Sequence, residues 1–234
     1  MRDFFSLEGP FNKFGSYIAD TLILSFMWIL FSIPIFTIGA STSALFYVST
    51  RRIAEREGYI TSDFWHAFKL NFKKGTKLWL MVFVVGLILV FNILNVENIG
   101  GMAPFILIAQ LIFFIQLWFI CIYLFPLTAR FDMGVRQTIK SSFFMANRHI
   151  FTSITCTALM AAIVLGVQMV PVLLFAVPGV YAMISSYMIM RVFRKYRPEM
   201  DKDPMLEIQE IEAKKAEERR NKDISTISED NEEE

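Results

Sequence analysis

The stretch from Thr21 to Thr50 reads TLILSFMWILFSIPIFTIGASTSALFYVST. It carries no charged residue, is broken by Pro34 near its middle and is followed at once by Arg51 and Arg52. A helix needs about 20 residues to cross a hydrocarbon core of about 30 Å. The run with its flanks, from about Phe14 to Ile53, therefore predicts two short helices with a turn around Ser32 to Pro34. The competing reading is one tilted helix ending near Ile38, followed by an interfacial segment, which puts the chain's start on the opposite side of the membrane from Arg51.

The composition around this run is that of an integral membrane protein. Of 234 residues, 55% are hydrophobic, and the mean hydropathy is +0.47, beyond the ordinary range of a soluble fold. The near-neutral total of +1 hides a separation of charge. Residues 1 to 197 hold 17 basic and 8 acidic residues, and residues 198 to 234 hold 6 basic and 14 acidic. A basic membrane face and an acidic soluble appendage follow. Cys121 and Cys156 lie inside apolar runs, as small buried hydrophobes, and make no disulfide framework. The opening MRDFFSLEGP has acidic residues ahead of the apolar run and no convincing cleavage motif, so it reads as retained sequence.

Charge placement along the rest of the chain sets the topology. After the first run come Arg51, Arg52, Arg56, Lys69, Lys73, Lys74 and Lys77, then Leu78 to Ala129, interrupted only by Glu97 in the turn-forming NVENIGGMAP. That is a hairpin across the membrane and back. Arg130, Arg136, Lys140 and Arg148 precede a second uncharged stretch, His149 to Met190, which returns to Arg191 and Arg194. The positive-inside rule puts these basic loops in the cytoplasm. Six crossings, as three hairpins, keep Arg2 and Lys13 on the same side; five strand them outside. The expectation is an all-α polytopic bundle of about six helices, with five as the alternative and both termini cytoplasmic in the cell membrane.

Two segments echo each other at an offset of 71. AFKLNFKKGTK, from Ala67 to Lys77, aligns with TIKSSFFMANR, from Thr138 to Arg148, matching Lys69 with Lys140, Phe72 with Phe143 and Lys77 with Arg148. Each precedes an apolar hairpin, as an amphipathic helix at the inner leaflet would, so anionic lipid headgroups are an expected partner. These short membrane-flanking basic groups do not suit nucleic acid. Residues 198 to 234 form the second expected region, an acidic cytoplasmic tail with a polar helix over about 203 to 222 and a disordered end.

Candidate chemistry is sparse. Asp20 would sit about 9 Å into a helix starting near Phe14, close enough to the interface for hydration. There it would pair with a backbone end or an inner-face Arg, or serve an ion or substrate. The segment TIGASTSA places Thr37, Gly39, Ser41, Thr42 and Ser43 together, as a close helix-packing face first and a polar lining second. Gln110, Gln116 and Tyr123 recur at spacings that share one helical face, with Asn92, Asn95 and Gln168 as candidate partners and Pro126 kinking the inner end. His66 and His149 lack the spacing of a metal site, and no phosphate loop, nucleophile elbow or paired-carboxylate motif is present, so neither a cofactor nor an enzymatic activity is expected.

The N-terminal third resembles the YesL family of bacterial membrane proteins. Phe5, Gly9-Pro10, Ala19-Asp20, Trp28 and above all PIFTIGASTSALFYV, from Pro34 to Val48, carry the resemblance, with GYITSDFWHAFKLNFKK from Gly58 to Lys74. It covers roughly residues 1 to 197 and leaves the acidic tail as an extension. The motif has no assigned chemistry. Members of the family are often encoded beside carbohydrate ABC importers and glycan-degrading enzymes in Gram-positive bacteria. The resemblance thus implies a non-enzymatic accessory or regulatory component of oligosaccharide import, touching permease or ATPase subunits or a second copy of itself. A small transporter or channel using the polar face is the alternative, and a lipid-modifying enzyme ranks last.

Overall fold

The computed structural model describes residues 10–53, 59–96 and 102–196. Among them every regular element is helical: α1 (Pro10–Ser32), α2 (Ile38–Ile53), α3 (Ile60–Leu94), α4 (Ala103–Arg130), α5 (Val135–Arg148), α6 (Ile150–Met169) and α7 (Val177–Tyr196). The chain divides into two compact units, Met1–Val192 and Phe193–Glu234. Of the second, only the last turn of α7 is described, so the expected acidic tail and its boundary at residue 197 lie outside the described residues.

The opening run folds as a hairpin. α1 stops at Ser32, and Pro34 leads into one 3-10 turn, Ile35–Thr37, before α2 begins. Proline fixes its own φ and lacks an N–H, so the helix ends before it. One carbonyl in the last turn of α1, that of Phe31, is met by hydroxyls from the turn and from α2. Thr37 Oγ1 donates to the Phe31 carbonyl at 2.6 Å, and Ser41 Oγ to the same oxygen at 2.8 Å.

Among the described residues, five stretches are long and apolar enough to cross a membrane: Gly15–Ser32, Ile60–Leu94, Ala103–Arg130, Ile150–Met169 and Leu173–Tyr196. The return arm α2 is not among them. Its 16 residues reach about 24 Å at 1.5 Å each, short of the core thickness. The count is the five of the alternative reading, yet the geometry is the hairpin of the first. Asp20 on α1 is bonded to Arg52 at the end of α2, so both arms return to one level.

Register explains why α2 is short. Gly39 abuts Gly75, and Arg51 meets Asp63, so α2 runs antiparallel beside the charged half of α3. The uncharged half of α3, Leu78 to Leu94, extends about 25 Å farther and pairs with α4. There Trp79 and Phe125 lie with ring centroids 6.4 Å apart, and just before it Lys74 Nζ, in the charged half, donates to the Phe131 carbonyl at 3.1 Å.

The two amphipathic segments end differently. Ala67 to Lys77 is not a separate helix but runs without a break into the apolar half of α3. Its counterpart is the discrete α5, because the backbone leaves helical geometry at His149, φ −116° and ψ 49°. The His149 carbonyl at this break accepts from Tyr123 Oη and Ser153 Oγ, each at 3.3 Å.

Candidate functional site

The densest polar burial lies on α2. Gly39, Ala40, Ser41 and every residue from Ser43 to Thr50 are buried. Buried hydroxyls need partners, and for those of residues 37 to 43 nearby backbone supplies them, whereas Ser49 Oγ is buried without one. Ser43 Oγ donates to the Gly39 carbonyl at 2.9 Å and Thr42 Oγ1 to the Ile38 carbonyl at 2.7 Å, while Thr37 and Ser41 cap α1. Thr42 also accepts from Trp28 Nε1 at 3.1 Å, tying α2 to α1.

The glycines set the spacing. A Cβ on Gly39 would clash with the Gly75 carbonyl oxygen and stand 2.5 Å from Trp79 Cβ. One on Gly75 would lie 2.9 Å from the Cα and N of Ala40. Only residues without side chains let two backbones meet this closely. The face that TIGASTSA presents is therefore closed against α3 at Gly39, and its hydroxyls are spent on backbone carbonyls.

At the other end of α2, adjacent arginines hold different helices. Arg51 Nη1 pairs with Asp63 Oδ1 on α3 at 2.7 Å. Arg52 Nη2 pairs with Asp20 Oδ2 at 2.5 Å, donates to Ser16 Oγ at 3.0 Å, and its guanidinium lies over the Tyr17 ring, 5.1 Å from the centroid. Asp20 thus has a cation and a hydroxyl as neighbours. The pairing of Asp63 with Arg51 was missed from sequence; the acid stands twelve residues beyond Arg51, and no helical spacing links them.

The polar residues of α4 are not gathered into one network. Gln110 and Tyr123 are buried and Gln116 is half-buried. Tyr123 bonds the His149 carbonyl. Gln110 Oε1 and Gln116 Nε2 are buried without a hydrogen-bond partner. Asn95 Nδ2 bonds its own helix at Phe91 O, 2.7 Å, and among the described residues no bond joins Asn92 or Gln168 to these two glutamine atoms. α4 continues as helix through Pro126 to Arg130.

A further junction was not legible in the sequence. Ser25, fully buried on α1, accepts from the backbone N–H of Gly179 at 2.9 Å and lies 3.2 Å from the Ala176 carbonyl. Gly179 sits in the first turn of α7, where N–H groups lack intrahelical acceptors, so a serine on another helix caps it. A Cβ on Gly179 would strike Ser25 Oγ and the Thr21 carbonyl. Among the described residues no group of three or more His, Cys, Asp or Glu stands together as a metal site.

Several long apolar helices, hydroxyls turned onto their own backbone and ion pairs at the ends of the apolar runs define a multi-pass α-helical membrane protein. The profile of a family described as "Protein of unknown function, DUF624" matches residues 21–93, from the middle of α1 through nearly all of α3. The chain is also 25% identical over 208 residues, 85% of its length and 96% of the relative's, to "Uncharacterized protein YesL" of Bacillus subtilis (strain 168). Together they support membership of the chain in the YesL/DUF624 family. No solved structure matches.

Proposed function

We propose that this protein is a non-enzymatic accessory or regulatory component of the cell membrane, associated with an importer of the carbohydrate ABC class. The observation that supports it is the state of the candidate polar face: closed by the contact of Gly39 with Gly75, its hydroxyls bonded to backbone carbonyls. Such a face holds helices together and leaves little to conduct a substrate. The carbohydrate link rests on the gene neighbourhoods of the family that the sequence resembles, an analogy of context. In this reading both termini face the cytoplasm, and permease or ATPase subunits are the partners. Affinity purification of the tagged protein from native membranes in several mild detergents tests it. Co-purifying permease or ATPase subunits are expected; their absence across all detergents overturns the reading.

One observation favours a second reading, a small transporter or channel. Gln110 Oε1 and Gln116 Nε2 are buried without partners, and unsatisfied polar groups at membrane depth are costly unless water or a solute reaches them. Flux through the purified protein alone in liposomes, lost in Gln110→Leu/Gln116→Leu, would establish it. A folded protein with no flux would remove it.

A further inference from the structure

The two segments that echo each other in sequence also share a burial pattern. Ala67, Asn71 and Gly75 on α3 are buried, and so are Thr138, Ser142 and Ala146 on α5, each 71 residues on. The opposite faces correspond too. Lys69, Lys73 and Lys77 are exposed on the first, and Arg136, Lys140 and Arg148 on the second.

Aromatic rings stand beside these cations. On α3, Trp65 is 45% and Phe72 36% exposed, and Lys69 Nζ lies 5.0 Å from the Trp65 ring centre. On α5, Phe143 and Phe144 are each 52% exposed, and the Arg148 guanidinium is 5.7 Å from the Phe144 ring centre. At about 3.6 residues per turn, Arg136, Lys140, Phe143 and Phe144 fall on one side of α5, away from its buried side. α5 contains no acidic residue, and Asp63, the acid on this half of α3, is turned to Arg51.

We propose that these two faces are twin docking surfaces for the anionic headgroups of phospholipids in the leaflet beside them. Charge complementarity alone would also suit a soluble phosphate. The rings decide between them: a free anion gains nothing from half-exposed phenylalanines, whereas a lipid offers phosphate to the cations and acyl boundary to the rings together. Tethering points the same way. α5 is joined to α4 by four residues, 131–134, and α6 begins at Ile150, while the α3 face continues directly into an apolar span. Both faces are thus held at headgroup depth, where anionic lipid is at its highest local concentration. The inference is independent of the accessory reading, since any multi-pass protein with these faces would show it.

The test is native mass spectrometry of the full chain released from nanodiscs of phosphatidylglycerol and phosphatidylcholine in equal parts. Preferential retention of phosphatidylglycerol is expected. Lys69→Gln/Lys73→Gln/Lys77→Gln and Arg136→Gln/Lys140→Gln/Arg148→Gln should each reduce it, at roughly fivefold in affinity per cation removed. Arginine at the three lysines of α3 should restore it, and circular dichroism with gel filtration checks that each variant is folded. Phe143→Ser/Phe144→Ser, with the charges kept, should also weaken retention. Equal retention of the two lipids by the unaltered protein, or unchanged retention in both folded triple variants, overturns the proposal. So does displacement of phosphatidylglycerol by millimolar inorganic phosphate, which would mark a free-anion site.

Discussion

Replacing Gly39 with alanine tests the close contact between α2 and α3. In an ordinary helix interior alanine is favoured over glycine by about 1 kcal/mol. Here the added Cβ meets the Gly75 carbonyl oxygen and Trp79 Cβ, and the first is backbone that cannot rotate aside. Overpacking of a well-filled interior costs about 1–3 kcal/mol, and a rigid obstacle puts this site at the upper end. Net destabilisation of about 2 kcal/mol should remain after the propensity gain. Gly86, also on α3, is the control: nothing lies within 4 Å of the position its Cβ would take, so Gly86→Ala should be neutral or stabilising by up to about 1 kcal/mol. Reversible unfolding in mixed detergent micelles, followed by tryptophan emission, measures both, and Trp79 beside Gly39 should report the local shift. If Gly39→Ala unfolds at or above the stability of the unaltered protein, the closed α2–α3 contact is wrong, and with it the reason for discounting a passage there.

The two ion pairs should differ in worth. Asp63→Asn, at the less exposed pair with Arg51, should cost about 2 kcal/mol against less than about 1 kcal/mol for Asp20→Asn, with part of the former recovered in Asp63→Asn/Arg51→Gln; the same unfolding assay reads all three. Ser25→Ala leaves the Gly179 N–H without its acceptor and should cost about 1–3 kcal/mol, with faster amide exchange in the first turn of α7. Thr42→Val removes the acceptor of the Trp28 indole and should cost about 1 kcal/mol, with a shift in Trp28 emission. Cysteines at Ser6 and Gln137, probed in intact cells and inverted vesicles, should both label from the cytoplasmic side; external labelling at residue 6 would refute the shared side that the Asp20–Arg52 pair supports.

Composition, the two long apolar stretches after Lys77 and Arg148, and the proline inside the first run were sufficient for an all-helical membrane fold and for the turn at Ser32 to Pro34. These are local or one-dimensional properties: bilayer thickness fixes how many apolar residues a span needs, and proline ends a helix whatever surrounds it. Much of the candidate site was visible at the same level, since Thr37, Gly39, Ser41, Thr42 and Ser43 advertise close packing by size alone. What they pack against was not, because Gly75 lies in a basic segment that reads as a surface helix. Register between distant helices is set by which side chains fit which backbones. Nothing in the spacing of residues 21 to 53 says that α2 stands beside the charged half of α3 and not its apolar half. That choice, made by Gly39 against Gly75 at one end and Arg51 against Asp63 at the other, makes α2 a short buried return arm beside the longer apolar spans. The same holds for Ser25 and Gly179, which share no pattern in the chain and meet only because tertiary packing leaves the first turn of α7 in need of an acceptor.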